Sequence, residues 1–458
     1  MNVSARDPLA FVVLGCAKNQ VEAETLASRL AQDGWKTTSD LSKASTVVVH
    51  TCGFLESARD EALGAVARIR KTAPRAFLVL SGCFAQYLNG KRPQGVDALL
   101  GTGQLDRLPA LLSAGVQKRT VCSSPGGLHD ASRPRPLRQG QLSAYVRVSE
   151  GCDRRCSFCI IPQLRGAQKS RDPRDIEREV RGLLARGVRE ISLVSQETTA
   201  YGRDVSPSSD LPALLGRLLR LPDLRWLRLL YTHPAGITGP LVRLLAEEEK
   251  LCGYLDMPLQ HVSERMLRLM RRDYDQKSTM RLLERLRKEV PHLTLRTTFI
   301  VGFPGETERD FRQMRDVVAA GTFDHAGFFA YSPEPRSPSA RFPGRLPEEE
   351  MRERMDRILE AQTQVMRRKN ESRIGQGVEA LVETGPDGRW QARGLHQAPE
   401  VDGGIRLARW PMRSGFYNVR LTGTAGIDLT GRLAGDLRPR CQPVRSRSCV
   451  EERSAVPA

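Results

Sequence analysis

The chain has 458 residues, with 71 Lys and Arg against 53 Asp and Glu and a net charge of +18. That length calls for two to four domains, and no run approaches the roughly 20 apolar residues that cross a bilayer, so no membrane segment is expected. Ten unevenly spread cysteines are not the dense framework of a small secreted domain; they point to a reducing cytoplasm and metal-bound thiolates, while the positive surplus favours a polyanionic partner such as RNA or a ribonucleoprotein.

Residues 1–115 alternate strand and helix. The N-terminal stretch MNVSARDPLAFVVLG has too short an apolar run for a secretion signal. After FVVLG comes VEAETLASRLAQDG, with a helical period closed by Gly34; after STVVVH comes FLESARDEALGAVARIRKTA; AFLVLSG and VDALLGTG read as further strands. This order predicts a small parallel α/β sheet domain. Three of its hydrophobic runs end on a cysteine, at Cys16, Cys52 and Cys83. Ligands of such sheets sit beyond the carboxyl ends of the strands, so the three thiols are expected to converge there.

Residues 116–142 are rich in Ser, Pro, Gly and Arg and read as a linker. From 143 to 343 strands and helices alternate again, through AYVRVSE, EISLVSQ, LRWLRLLY, GYLDMPLQ, LTLRTTFIVGF and HAGFFAYS, which predicts a partial (β/α) TIM-like barrel. Residues 344–371 form a charged connector helix. Residues 372–434 carry short alternating segments separated by Gly and Asp, expected as a small antiparallel β-barrel. Residues 435–458, with Cys441 and Cys449, are polar and read as a disordered tail without a metal role.

A tight triplet, GCDRRCSFC, follows the strand AYVRVSE and supplies Cys152, Cys156 and Cys159. Thiolates at this spacing suit three irons of a [4Fe–4S] cube and leave the fourth iron open to a substrate or cofactor. A zinc site or an electron-transfer cluster is the competing reading, although no fourth Cys or His lies nearby in sequence. Together with the three lone thiols, the triplet suggests two iron–sulfur centres. Phe158 is placed to cover an adenine ring or simply to pack. In GFPGE, Gly302 and Gly305, beside Glu306, permit close backbone approach to a ligand or make an ordinary turn. His261 reads equally as a site or a core histidine. Arg147, Arg154, Arg155 and Arg165 surround the triplet, with solvated surface arginines as the default.

Cx3CxΦC after the first strand of a parallel barrel resembles the fingerprint of radical S-adenosylmethionine enzymes. EGCDRRCSFCIIPQLRG, LGCAKNQVEAE, TCGFLESARDEA, SGCF and FIVGFPGET narrow the resemblance to the methylthiotransferases, from Phe11 to about Leu433. The resemblance implies an N-terminal methylthiotransferase domain with an auxiliary [4Fe–4S] cluster on Cys16, Cys52 and Cys83. It implies a second [4Fe–4S] cluster on the triplet, a radical-SAM barrel and a TRAM-like C-terminal barrel. S-Adenosylmethionine is the implied cofactor, with Ser195, Gln196 and Glu197 near its amino group. SQETTAYG, YLDMPLQH and QAPEVDG resemble the branch that modifies an aspartate β-carbon of small-subunit ribosomal protein twelve, rather than the transfer-RNA adenosine branch. GCAKN, VEAE and YTHP depart from that branch's usual forms and leave the cysteines untouched. The implied partners are that ribosomal protein, an external electron donor and a sulfur source, with RNA contact through the ribosome. The competing class is a non-catalytic RNA-binding iron–sulfur protein; balanced charge and no aromatic platform in the last barrel favour a protein substrate.

Overall fold

Hydrophobic runs too short to be helices open the chain as β1 (Leu9–Val13), β2 (Thr46–Thr51), β3 (Phe77–Gly82), β4 (Ala98–Leu100) and β5 (Thr120–Val121). The computed structural model describes residues 8–113, 120–127, 134–205, 209–385 and 387–434; the expected tail with Cys441 and Cys449, and parts of the expected linker, lie outside these. The five strands pair in parallel in chain order. They alternate with α1 (Ala17–Gln32), α2 (Glu56–Thr72), α3 (Cys83–Leu88) and α4 (Leu108–Ser113). β2 and β3 are apolar at successive positions because both faces are covered. Val47, Val49, Leu78 and Leu80 pack with Ala62, Val66 and Ile69 of α2. Val48 and Val79, pointing the other way, pack with Leu26 and Leu30 of α1.

The second layer begins at β6 (Ser143–Arg147). β7 (Ser149–Glu150) then pairs antiparallel with β8 (Lys169–Ser170), with α5 (Ile161–Arg165) between them. The main sheet continues through β9 (Glu190–Val194), β10 (Trp226–Leu229), β11 (Leu251–Asp256), β12 (Thr294–Val301) and β13 (His325–Ala330). Its order is β13-β12-β11-β10-β9-β6, parallel throughout. The end strands β6 and β13 do not pair with each other, so this is a partial barrel. Its outer helices are α6 (Pro173–Ala185), α7 (Leu211–Leu219), α8 (Gly239–Glu247), α9 (Glu264–Leu269), α10 (Gln276–Glu289) and α11 (Glu308–Ala319). Several start where an N-cap demands it: Asp172 accepts from Arg174 N ahead of Pro173, and Asp275–Ser278 and Thr307–Asp310 form reciprocal capping boxes. α12 (Glu348–Glu371) follows, with Ile358 buried in the barrel's core cluster. No helix among the described residues is long and apolar enough to cross a membrane.

The last unit comprises β14 (Gly377–Thr384), β15 (Trp390–Gly394), β16 (Ile405–Leu407), β17 (Gly415–Ala425) and β18 (Asp428–Leu433), ordered β15-β14-β17-β18-β16. It is a small, nearly closed barrel, antiparallel except where β16 lies parallel to β18. It docks on the main sheet through apolar and ionic contacts. Trp226 meets Phe416 edge to face at 4.8 Å. Glu190 of β9, fully buried, accepts from Arg228 Nε at 3.0 Å and from Arg393 of β15. The loop QAPEVDG reaches beneath the sheet, where Asp402 accepts from the Tyr254 hydroxyl at 2.6 Å.

Trp226 is 2% exposed at this junction. Trp226→Ala is expected to cost about 3–5 kcal/mol by opening a cavity, measured by urea unfolding; a loss under about 1 kcal/mol would mean the ionic contacts alone seat the last barrel.

Candidate active site

Parallel pairing brings the carboxyl ends of β1, β2 and β3 side by side, and each is followed by a cysteine. Cys16 is the N-cap of α1, Cys52 directly follows β2, and Cys83 opens α3. Two glycines let these corners approach. Gly15 has φ +107°, and a Cβ there would lie 2.8 Å from Cys52 Cβ. A Cβ on Gly53 would lie 2.6 Å from the Phe84 backbone. Arg165 Nε donates to Cys83 Sγ at 3.0 Å. Burial raises the Cys83 thiol to about 12 even against the Arg165 charge, and burial also raises Cys52. Thiols held this high keep their protons until a metal displaces them.

The triplet lies on the loop between β7 and α5, pinned by its backbone. Cys152 N–H donates to Gly166 O at 3.1 Å, Ser157 N–H to Met270 O at 3.0 Å, and Cys159 N–H to Cys156 O at 3.1 Å. Arg272 Nη1 donates to Cys156 Sγ at 3.2 Å, and Ile161 N–H to Cys159 Sγ at 3.4 Å. Burial raises Cys152 to about 11 and Cys159 to about 12. Among the described residues no three of His, Cys, Asp and Glu sit close enough to hold a single metal ion.

Both cysteine sets contribute to the lining of one cavity of about 420 Å³, the first through Cys16 and Cys52 and the second through Cys152, Cys156 and Cys159. Cys83 is buried and lies outside the lining. Phe158, Gln196 and Glu197 also line the cavity. Phe158 meets Phe303 edge to face at 6.4 Å. Gln196 Oε1 is buried without a hydrogen-bond partner, which suits a polar ligand. Glu197 holds Arg154 in a fork, at 2.6 Å to Nε and 2.8 Å to Nη2. Burial, helped by the Arg272 and Arg154 charges, lowers His233 to about 2, so this wall residue is a neutral imidazole.

The other expected residues lie outside the cavity lining. The Ser195 hydroxyl donates to Thr198 Oγ1 at 3.3 Å. Gly302, at φ +75°, donates its N–H to Glu306 Oε2 at 3.0 Å, and Arg354 of α12 donates to Glu306 Oε1 at 2.6 Å. Gly305 donates its N–H to Gly344 O at 2.7 Å. His261 is fully buried, its Nδ1 accepting from the Val262 and Ser263 amides at 2.9 Å, so it caps a turn. Arg155 is exposed. Arg147 and Arg165 are not solvated surface residues: each is buried against carboxylates. Glu22 of α1 accepts from Arg147 Nη1 at 2.6 Å, from Arg165, and from His50 Nε2 at 2.9 Å. Glu150 accepts from the same two arginines, at 2.7 and 3.1 Å.

Sequence reasoning missed Lys18, Tyr231, Gln260 and Arg272, all in the cavity wall. The first three lie within the motifs LGCAKN, YTHP and YLDMPLQH or at their edges, so proximity to a motif was an available signal. Arg272, in a run of ordinary basic residues, gave none.

Three known families match this chain. Residues 9–101 match an uncharacterized protein family, UPF0004; residues 146–318 match the radical SAM superfamily; and residues 374–434 match the TRAM domain. The ribosomal protein uS12 methylthiotransferase RimO of Desulforudis audaxviator is 40% identical over 440 residues, covering 94% of this chain and 97% of that protein. Its namesake from Syntrophotalea carbinolica is 38% identical over 441 residues, covering 93% and 97%. Among solved structures, the radical S-adenosylmethionine methyltransferase TsrM from Kitasatospora setae, with cobalamin and a [4Fe–4S] cluster bound, gives a TM-score of 0.53 at 16% identity, over 73% of this chain and 77% of that one. That likeness is of fold alone.

Glu22 joins the first layer to the second. Glu22→Gln keeps its shape but leaves Arg147 and Arg165 with one carboxylate between them, an expected loss of about 3–5 kcal/mol in urea unfolding. A loss below about 1 kcal/mol would show that the layers are joined by other contacts.

Proposed function

The chain belongs to the RimO family of radical S-adenosylmethionine methylthiotransferases, and on that premise we propose that it adds a methylthio group to the β-carbon of an aspartate in ribosomal protein uS12. The observation that carries this reading is the shared cavity, walled by cysteines of both sets. Bonding sulfur to an unactivated carbon requires the hydrogen-abstracting group and the sulfur to reach the same atom. Two cysteine sets facing one space meet that requirement.

In this proposal Cys152, Cys156 and Cys159 hold one [4Fe–4S] cluster, with an iron left for S-adenosylmethionine, and Cys16, Cys52 and Cys83 hold a second. When bound, these groups supply radical chemistry, a methyl donor and a point of attachment for sulfur. The chain supplies the surroundings. Arg272 and Arg165 each place a guanidinium against a cysteine sulfur and so offset negative charge there. Phe158, Gln196 and Glu197 contact the cofactor from the wall, while Ser195, Gly302, Gly305 and Glu306 fix the backbone behind it. Phe54, Leu55, Ile161 and Ile300 make the lining largely apolar and limit water. An external electron donor and an external sulfur source complete the cycle in the cytoplasm, and RNA is met through the ribosome. The units at 1–115, 143–343 and 372–434 act together, joined by 116–142 and 344–371.

Relatives named for uS12 over nearly their full length favour this substrate over transfer-RNA adenosine. Mass spectrometry of ribosomal proteins and digested transfer RNA, from cells with and without the gene, is the test. Loss of a methylthio group from uS12 is expected; loss from adenosine instead would move the enzyme to the other branch. In the purified reduced protein, Cys156→Ala is expected to abolish cleavage of S-adenosylmethionine. Cys16→Ala is expected to keep that cleavage, lose the methylthio product and lower bound iron by about half. Product formation by Cys16→Ala would overturn the second cluster.

A further inference from the structure

We infer that Lys18 receives the carboxylate of the target aspartate and thereby selects an anionic side chain over a neutral one; this rests on the uS12 reading above. Lys18 lies two residues beyond Cys16, in the first turn of α1, 8% exposed and in the cavity wall. Its ammonium touches the Ser195 carbonyl at 3.4 Å and lies 3.3 Å from the centroid of the Tyr231 ring. It pairs with no carboxylate among the described residues, whereas Arg154 of the same wall pairs with Glu197, and Arg272, the other arginine there, is met by Cys156 Sγ, the Pro258 carbonyl and the Tyr274 hydroxyl.

An ammonium has three donors, and one carbonyl and one aromatic face leave it incompletely met. A cation here is also placed against the helix dipole, whose N-terminal end favours anions. Burial and dipole oppose the charge, the Ser195 carbonyl and the Tyr231 ring meet it only in part, and an arriving anion would complete the site.

The ring beneath Lys18 is held at a cost. Tyr231 has φ +59°, a conformation that bulky residues avoid. Its N–H donates to Asp256 Oδ2 at 3.1 Å, and its carbonyl accepts from Thr198 N–H at 2.9 Å, so both sides of the strained residue are locked. Gln260, at φ +70°, lines the same cavity. Strain gathered at one cavity marks a functional surface.

An aspartate carboxylate is bonded directly to the β-carbon that reacts. Seating it on Lys18 therefore holds that carbon on the side of Cys16. A neutral base or amide would leave the cation buried and unpaired, which is a rejection device as well as an attraction.

The test uses the cluster-loaded, S-adenosylmethionine-bound protein with purified uS12 and with uS12 carrying Asn at the target aspartate. The unaltered enzyme is expected to bind the aspartate form about 10- to 100-fold more tightly. Lys18→Met should weaken binding of the aspartate form by that factor and leave the Asn form unchanged, so that discrimination disappears. Lys18→Arg should retain most of it, and it decides the matter where Lys18→Met fails to fold. Affinity for S-adenosylmethionine and iron content should not change. Discrimination that survives in Lys18→Met overturns the inference. Discrimination kept while affinity for S-adenosylmethionine falls would assign the cation to the cofactor's own carboxylate, and discrimination kept while iron is lost would assign it to the cysteine set. If the unaltered enzyme binds neither form of uS12 yet cleaves S-adenosylmethionine, the uS12 reading fails and the inference with it.

Discussion

One buried carboxylate fixes the geometry on which the cavity depends. Burial opposes ionisation of Glu22, but Arg165, the His50 ring and Arg147 together hold its carboxyl well below the ordinary range. The first layer contributes Glu22 and His50; the second contributes both arginines. Arg165 then turns its Nε to Cys83. A single guanidinium thus ties the join between layers to the first cysteine set, and α1 carries Cys16, Lys18 and Glu22 on one rigid rod. A shift at Glu22 would displace all three together, because packed interiors transmit such shifts rather than absorb them.

The parts of this arrangement that are local in sequence were legible. Apolar runs closed by glycine and cysteine announced β1 to β3 and placed Cys16, Cys52 and Cys83 at one sheet edge. The spacing of Cys152, Cys156 and Cys159 announced the second set. The small barrel was legible from its short alternating segments, but not the parallel placement of β16 beside β18, which depends on how the chain returns after QAPEVDG. The ion cluster was not legible either. Arg147 and Arg165 look like surface residues by type, and their partner Glu22 lies 125 and 143 positions away. Charge type sets an expectation of exposure that only a distant partner can reverse. Backbone strain was equally hidden, since neither Tyr231 nor Gln260 is a residue that signals a left-handed turn.

The last barrel meets the main sheet through four of its charged side chains. Glu379 engages Arg225, Glu383 accepts from the Leu142 amide at 2.7 Å, and Arg393 and Asp402 reach Glu190 and Tyr254. These four side chains are turned toward the main sheet and are wholly or partly desolvated there, whereas Arg389, Arg406, Arg409, Arg413, Arg420 and Arg432 of the same unit are exposed. The unit thus packs against a partial barrel whose own six strands do not close, and it keeps a set of exposed arginines on its other surfaces.

The cations in and around the cavity divide by the partner each one meets. Arg165 and Arg272 lie against sulfur, and Arg154 is forked by Glu197. A planar guanidinium suits those fixed partners because its donors are pre-oriented. Lys18 differs in kind as well as in partnership: an ammonium is a compact point charge on a flexible stem, able to follow a carboxylate that arrives with a substrate and leaves with a product. Arginine where the anion is permanent and lysine where it is transient is the distribution expected of a site that must bind and release a charged side chain beside two sets of metal-binding thiols.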